Sequence, residues 1–117
     1  MGDLSKHFSR YEFACKCGCG YDTVDAELLR VLEDVREQFN EPITITSGCR
    51  CKRHNVDVGG AFNSQHLYGR AADITVADTM PAAVARFAHV MVVPGIGEYN
   101  SFTHLDTRSG DHERWSG

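Results

Sequence analysis

Two histidines and an aspartate carry the chemistry that this chain's residue pattern supports. His66 and Asp73 lie in the stretch Ser64-Gln65-His66-Leu67-Tyr68-Gly69-Arg70-Ala71-Ala72-Asp73, where an imidazole nitrogen and a carboxylate oxygen can meet on one metal ion. Both are ordinary ligands of Zn²⁺, but a catalytic zinc centre takes three protein ligands and keeps a fourth position open. The third candidate is His104, in Ser101-Phe102-Thr103-His104-Leu105-Asp106, where apolar and polar residues alternate as on a half-buried strand. Taken singly, each of these residues reads as a surface group. As a set, they describe a hydrolytic zinc centre.

The elements that must position them are also readable. Val24, Leu28, Val31, Leu32, Val35 and Phe39 follow one helical face, capped by Asp22 or Thr23 and ended by Pro42. Ile43-Thr44-Ile45-Thr46 alternates as a strand and delivers Ser47-Gly48-Cys49-Arg50 to one edge of the site. A short helix over Lys52 to Asp57 is closed by Gly59-Gly60. Asp73 opens a second strand, Ile74 to Val76, and Asp78-Thr79-Met80-Pro81 starts a second long helix through Phe87 and His89. Glu98-Tyr99 leads through a turn at Asn100-Ser101 into the strand Phe102 to Arg108, and Trp115 is expected to pack back on the sheet. His7, His54, His89 and His112 read as surface or helix-end residues.

At 117 residues the chain fits one domain, residues 1–117, and its formal charge of −4 argues against non-specific nucleic-acid binding, which needs a basic face. No apolar run is long enough for a membrane span, and the N-terminus shows no export signal, so cytoplasmic synthesis is expected. Five cysteines fall in two clusters, Cys15, Cys17 and Cys19 in one loop and Cys49 and Cys51 in another. Three states stay open for them: a structural metal site, one or two disulfides, or unpaired thiols. No local pattern gives any of them the neighbouring base that a thiol nucleophile wants.

The pattern Ser-x-His-x-x-Gly-x-Ala-x-Asp, followed by Phe-x-His-x-Asp, resembles the zinc D-Ala-D-Ala carboxypeptidase family, a group that includes phage endolysins and is related to hedgehog-type zinc domains. The resemblance runs from Phe8 to Trp115. It implies an α+β fold in which helices pack on one side of a small antiparallel sheet and zinc is held on the other face by His66, Asp73 and His104. It further implies that Arg50, in a Ser-Gly-aromatic-Arg element whose aromatic is here Cys49, grips a substrate carboxylate, with Ser64 also on the substrate side.

The general base is less plainly marked. The acid or histidine that some relatives carry two or three residues before the last zinc histidine is replaced here by Phe102 and Ser101. Glu98 and Asp106 remain as catalytic carboxylates. Glu98 is the favoured base, matching the acid position of the hedgehog-like relatives, and Asp106 also suits a partner that orients His104. The function implied is hydrolysis of peptidoglycan stem peptides by a monomer with one catalytic Zn²⁺, and a second structural zinc if the cysteines bind one. The alternatives are a zinc-bearing module that recognises cell-wall or protein ligands without cleaving them, and a small Cys-rich structural zinc protein. A phage lysis enzyme reaching the wall or periplasm through a membrane lesion would suit the absent export signal.

Overall fold

The computed structural model describes residues 2–117. Helix α1 (Ala26–Phe39) buries Leu28, Leu32 and Val35, residues whose spacing draws one apolar stripe along the helix. Its cap is Asp25, not Asp22 or Thr23: the Asp25 carboxylate accepts from the Leu28 N–H at 3.3 Å and also from the Thr107 hydroxyl at 2.8 Å. Asn40, in the left-handed region at φ 52°, ends the helix before Pro42 is reached. Helix α2 (Lys52–Asp57) is short and capped by the Cys51 sulfur. Helix α3 (Pro81–Val90) starts with proline at its first turn, but Met80 holds the cap position with no side-chain cap bond, and Asp78 lies in a left-handed turn at φ 55°. No helix among the described residues is long and apolar enough to cross a membrane.

Strands β1 (Ile43–Ser47), β2 (Ala71–Val76), β3 (Gly95–Glu98), β4 (Thr103–Asp106) and β5 (Glu113–Ser116) form one sheet in the order β1-β2-β4-β3-β5. The first three pairings are antiparallel, as expected, but β5 lies parallel to β3. The tryptophan read as packing on the sheet is thus itself part of an edge strand. That strand has no apolar alternation to announce it, because three of its four residues are exposed.

Side chains alternate across a strand, so each strand divides its residues between the two faces. Ala72, Ile74 and Val76 of β2, Leu105 of β4 and Ile96 of β3 turn toward the helices, joining Leu28, Leu32, Val35, Val84, Ala85 and Ala88 in one core with Phe8 and Phe13. Asp73 pairs with His104 across β2 and β4, and Gly97 pairs with His104 across β3 and β4. These residues share the opposite face. There the glycines give room: a Cβ on Gly95 would meet the Asp106 carboxylate at 2.0 Å, and one on Gly97 would meet the Trp115 ring at 2.5 Å.

The core, on the far side of the sheet from the ligands, sets the stability of the platform. Leu32→Ala should lower the unfolding free energy by about 2–5 kcal/mol, the range for removing a fully buried leucine side chain. Denaturant titration checks it, and a loss below about 0.5 kcal/mol, within the range of surface changes, would show that α1 does not anchor the sheet.

Candidate metal centre

His66 sits in a 3₁₀ turn, Gln65–Tyr68, whose cap is Ser64: the serine oxygen accepts from the His66 N–H at 3.2 Å. The ring's Nδ1–H donates to the Gly48 carbonyl at 2.6 Å, which leaves Nε2 as the free nitrogen, 3.2 Å from Asp73 Oδ1. Main-chain bonding ties the same turn to the loop after β1, since the Arg50 N–H donates to the His66 carbonyl at 2.9 Å.

His104 comes from β4, directly across from Asp73. Its Nε2–H donates to Asp106 Oδ2 at 2.7 Å, and its Nδ1 lies 2.9 Å from Asp73 Oδ1. Asp106 is 0% exposed. Arg108 holds it with Nε to Oδ1 at 2.9 Å and a terminal nitrogen to Oδ2 at 2.7 Å, and the guanidinium lies 5.3 Å from the Trp115 ring centroid. With one imidazole proton committed to Gly48 and the other to Asp106, the lone pairs of His66 Nε2, Asp73 Oδ1 and His104 Nδ1 converge on one point.

Those three atoms all lie within 4.8 Å of one another. A tetrahedral ion with bonds of about 2.0–2.1 Å separates its ligand atoms by about 3.3–3.4 Å, close to the 3.2 and 2.9 Å found from Asp73 Oδ1 to the two histidines. The donor set therefore fits Zn²⁺, and the carboxylate behind His104 is the usual orienting partner of a zinc histidine.

Arg50 closes the centre from the other side. Its terminal NH2 donates to Asp73 Oδ2 at 3.3 Å, NH1 to Asn55 Oδ1 at 3.2 Å and Nε to Ser47 Oγ at 3.0 Å. Arg50, Ser64, His66, Asp73 and His104 line one cleft of about 350 Å³, walled by Tyr99, Phe102 and Trp115. Tyr99 and Phe102 stack with ring centroids 4.3 Å apart, and the Trp115 indole N–H donates to the Tyr99 hydroxyl at 2.8 Å.

Two of the residues read from the sequence as catalytic do not reach this cleft. Glu98 is exposed and lies beside Ala82, Arg86, His89 and Arg114, on the α3 side of the sheet. Its parity on β3 is that of Ile96, not Gly97, so the pleat turns its carboxylate away from the metal face. Asp106 shares the face but is sealed behind His104 and clamped by Arg108. It orients His104 and does not line the cleft. Sequence reasoning missed the Gly48 carbonyl and Arg108, because neither a main-chain acceptor nor an arginine two residues beyond Asp106 leaves a signature in residue type. Of the other histidines, His7 bonds Glu33 at 2.6 Å and His89 accepts from Arg114 at 3.1 Å.

The cysteines also separate. All five are free thiols. Cys15, Cys17, Cys19 and Cys51 gather in one group, whereas the Cys49 S–H donates to the Tyr21 carbonyl at 3.0 Å, and burial pushes its thiol up to about 11.

Electrostatics make the centre pH-dependent. Burial alone would raise Asp73, but in the metal-free protein, where a proton on the inner nitrogen of His104 or His66 stands in for the ion, those imidazoles hold it well below the usual carboxylate range; burial also opposes Asp106, which Arg108 and His104 hold down. Burial would lower His104, but its bonds to Asp106 and Asp73 raise it. The depressed carboxyls contribute stability that is present above about pH 4 and is lost as pH falls toward their folded values. The raised His104 contributes stability that is full below about pH 6.5 and is lost as pH rises through its folded value. Chelator-treated protein should therefore melt highest between about pH 4 and 6.5. Zn²⁺ takes the place of the His104 proton, so zinc-loaded protein should keep its melting temperature above that window. Chelated protein that gains stability from pH 6.5 upward would contradict this.

The roles of the two carboxylates separate by metal titration. Asp106→Asn should weaken zinc affinity by about 10–100-fold, the usual effect of losing the partner of a ligand histidine. Glu98→Gln should leave it unchanged.

The comparisons with known proteins agree with this geometry. The model of the Peptidase M15 family matches residues 6–106, a span that holds all three candidate ligands, Arg50 and Asp106. A zinc D-Ala-D-Ala carboxypeptidase of Streptomyces albus G is 37% identical over 82 residues, 66% of this chain and 31% of that protein. The chain thus spans about a third of the length of the curated relative it matches. With the match covering most of the chain and every candidate ligand inside it, the chain belongs to the Peptidase M15 family.

Proposed function

We propose that the protein is a zinc-dependent peptidase that hydrolyses the D-Ala-D-Ala end of peptidoglycan stem peptides. The observation that carries this reading is the opening of a three-ligand centre and an arginine into one small cleft. The relative's name supplies the substrate class. A bound Zn²⁺ supplies Lewis acidity, polarising a carbonyl and making water acidic enough to attack at neutral pH.

The chain's own residues do the rest. A guanidinium has five N–H donors, and the three that Arg50 commits to Ser47, Asn55 and Asp73 leave one on each terminal nitrogen. That pair suits the two parallel bonds by which an arginine takes a carboxylate. The Tyr99 hydroxyl accepts from Trp115 and keeps its own proton to donate; Ser64 accepts from the His66 N–H and does likewise. Among the described residues Asp73 is the one carboxylate lining the cleft, and it is already engaged by Arg50. A cleft of about 350 Å³ lies at the small end of ligand sites, which suits the end of a peptide. The substrate puts the site of action at the cell wall, where a lytic role of the endolysin kind would use the same chemistry.

Synthetic stem peptides ending in D-Ala-D-Ala test the reading by mass spectrometry. Release of D-Ala should stop with a strong chelator, return with Zn²⁺ and be absent in His66→Ala, while Glu98→Gln keeps the wild-type rate. Arg50→Ala should cost about 1.5–3 kcal/mol on a free-acid substrate, the worth of a hydrogen bond to a charged group, and much less on one with an amidated end. Because Arg50 also holds Asp73, this variant should lose some zinc affinity, so rates are compared at saturating Zn²⁺. Cleavage of wall cross-links without release of D-Ala would replace the carboxypeptidase reading by an endopeptidase one.

A further inference from the structure

Far from the His66 centre in sequence, the loop Cys15 to Cys19 meets the start of α2. Cys15, Cys17, Cys19 and Cys51 bring four sulfurs within 4.8 Å of one another. Three of the sulfur–sulfur separations are 3.4 Å for Cys15–Cys17, 3.8 Å for Cys15–Cys51 and 3.7 Å for Cys17–Cys51. A disulfide requires about 2.05 Å. A tetrahedral zinc with Zn–S bonds of about 2.3 Å requires sulfurs about 3.8 Å apart. The distances match the second case and not the first.

Other features fit thiolates held around an ion. The Cys51 N–H donates to the Cys15 sulfur and the His54 N–H to the Cys51 sulfur, both at 3.4 Å, so main-chain donors already face two of the sulfurs. The intervening loop folds back on itself through Gly18 N–H to Cys15 O at 3.1 Å and Cys15 N–H to Tyr21 O at 2.7 Å. Gly18 and Gly20 stand at φ 82° and 92°, where glycine lets so short a segment turn three sulfurs to one side. Cys49, two residues from Cys51, points its thiol at Tyr21 and takes no part, which resolves the odd count into four plus one.

We infer that Cys15, Cys17, Cys19 and Cys51 form a closed tetrathiolate site for a structural Zn²⁺, separate from the His66-Asp73-His104 centre. Four protein ligands leave no open position, so the ion does no chemistry. Each thiol gives up its proton on binding, and the ion joins the N-terminal loop to the segment that carries Arg50.

The test is metal counting on full-length protein purified with reductant. Wild type should hold two Zn²⁺ per chain. The double variant His66→Ala/His104→Ala should keep one, and Cys17→Ser/Cys19→Ser, which changes two exposed ligands, should also keep one. Reconstitution with Co²⁺ should give intense sulfur-to-cobalt charge-transfer absorption in wild type and in the histidine variant, and none in the cysteine variant. No zinc in the histidine variant, two in the cysteine variant, or a mass showing disulfides under reductant would overturn the proposal. Should the serine variant fail to fold, absence of the charge-transfer band from folded Co²⁺-loaded wild type overturns it alone. The readout is independent of peptidase activity.

Discussion

Asp73 is the carboxylate on which the arrangement of the site depends. Its Oδ1 faces both histidines and its Oδ2 accepts from Arg50, so one side chain joins a 3₁₀ turn, two strands and the loop after β1. Only the existing register allows this. Asp73 sits directly across from His104, and a slip of one residue between β2 and β4 would carry the ligands into the hydrophobic layer. The irregularity between Ile45 and Ser47 belongs to the same constraint. It brings Ser47 opposite Asp73, and Ser47 is where the Arg50 Nε finds its acceptor. A strand without that bulge would aim the arginine elsewhere.

The charges beneath the cleft are balanced before any metal is counted. Asp73 is matched by Arg50 and Asp106 by Arg108. Such pairs recover little stability after desolvation, and their worth lies in fixing one arrangement. Here that arrangement directs both imidazole protons outward, to Gly48 and Asp106, leaving the inner lone pairs for the ion. A Zn²⁺ held there would bring its positive charge to a pocket whose own charges are already compensated.

The sequence made some of this legible and hid the rest for physical reasons. Helical spacing in α1 and strand alternation in β1 and β4 are local patterns, and they located the sheet and the core face. His66, Asp73 and His104 were readable because ligand chemistry restricts residue type. Glu98 was misplaced because six residues before His104 says nothing about pleat parity until the turn length is known: the turn pairs Glu98 with Thr103, which gives it the parity of the core face. Arg108 and the parallel strand β5 escaped because a clamp and an edge pairing are tertiary facts. Asp106 was ambiguous for a different reason. Same-face proximity to His104 fits a base and an orienting partner equally, and only its complete burial separates them.

The loop after β1 is the least regular part of the site and the most heavily tied. The Cys49 N–H donates to Phe13 O, the Arg50 N–H to His66 O and the Cys51 N–H to the Cys15 sulfur. Gly48 cannot carry a side chain there, since a Cβ would lie 2.5 Å from the Phe13 carbonyl. Three successive residues are thus fixed in turn to the N-terminal stretch, to the 3₁₀ turn that carries His66, and to the N-terminal stretch again. A guanidinium that must meet a carboxylate with two bonds gains from this, because a mobile arginine would spend its binding energy on being ordered. The cysteine cluster acts at the next residue in the chain. A metal joining Cys15 to Cys51, 36 positions apart, restricts the unfolded chain by closing a long loop, and in the folded chain it holds the Arg50 segment against the N-terminal turn. The same cross-link therefore bears on stability and on the position of the residue assigned to grip the substrate.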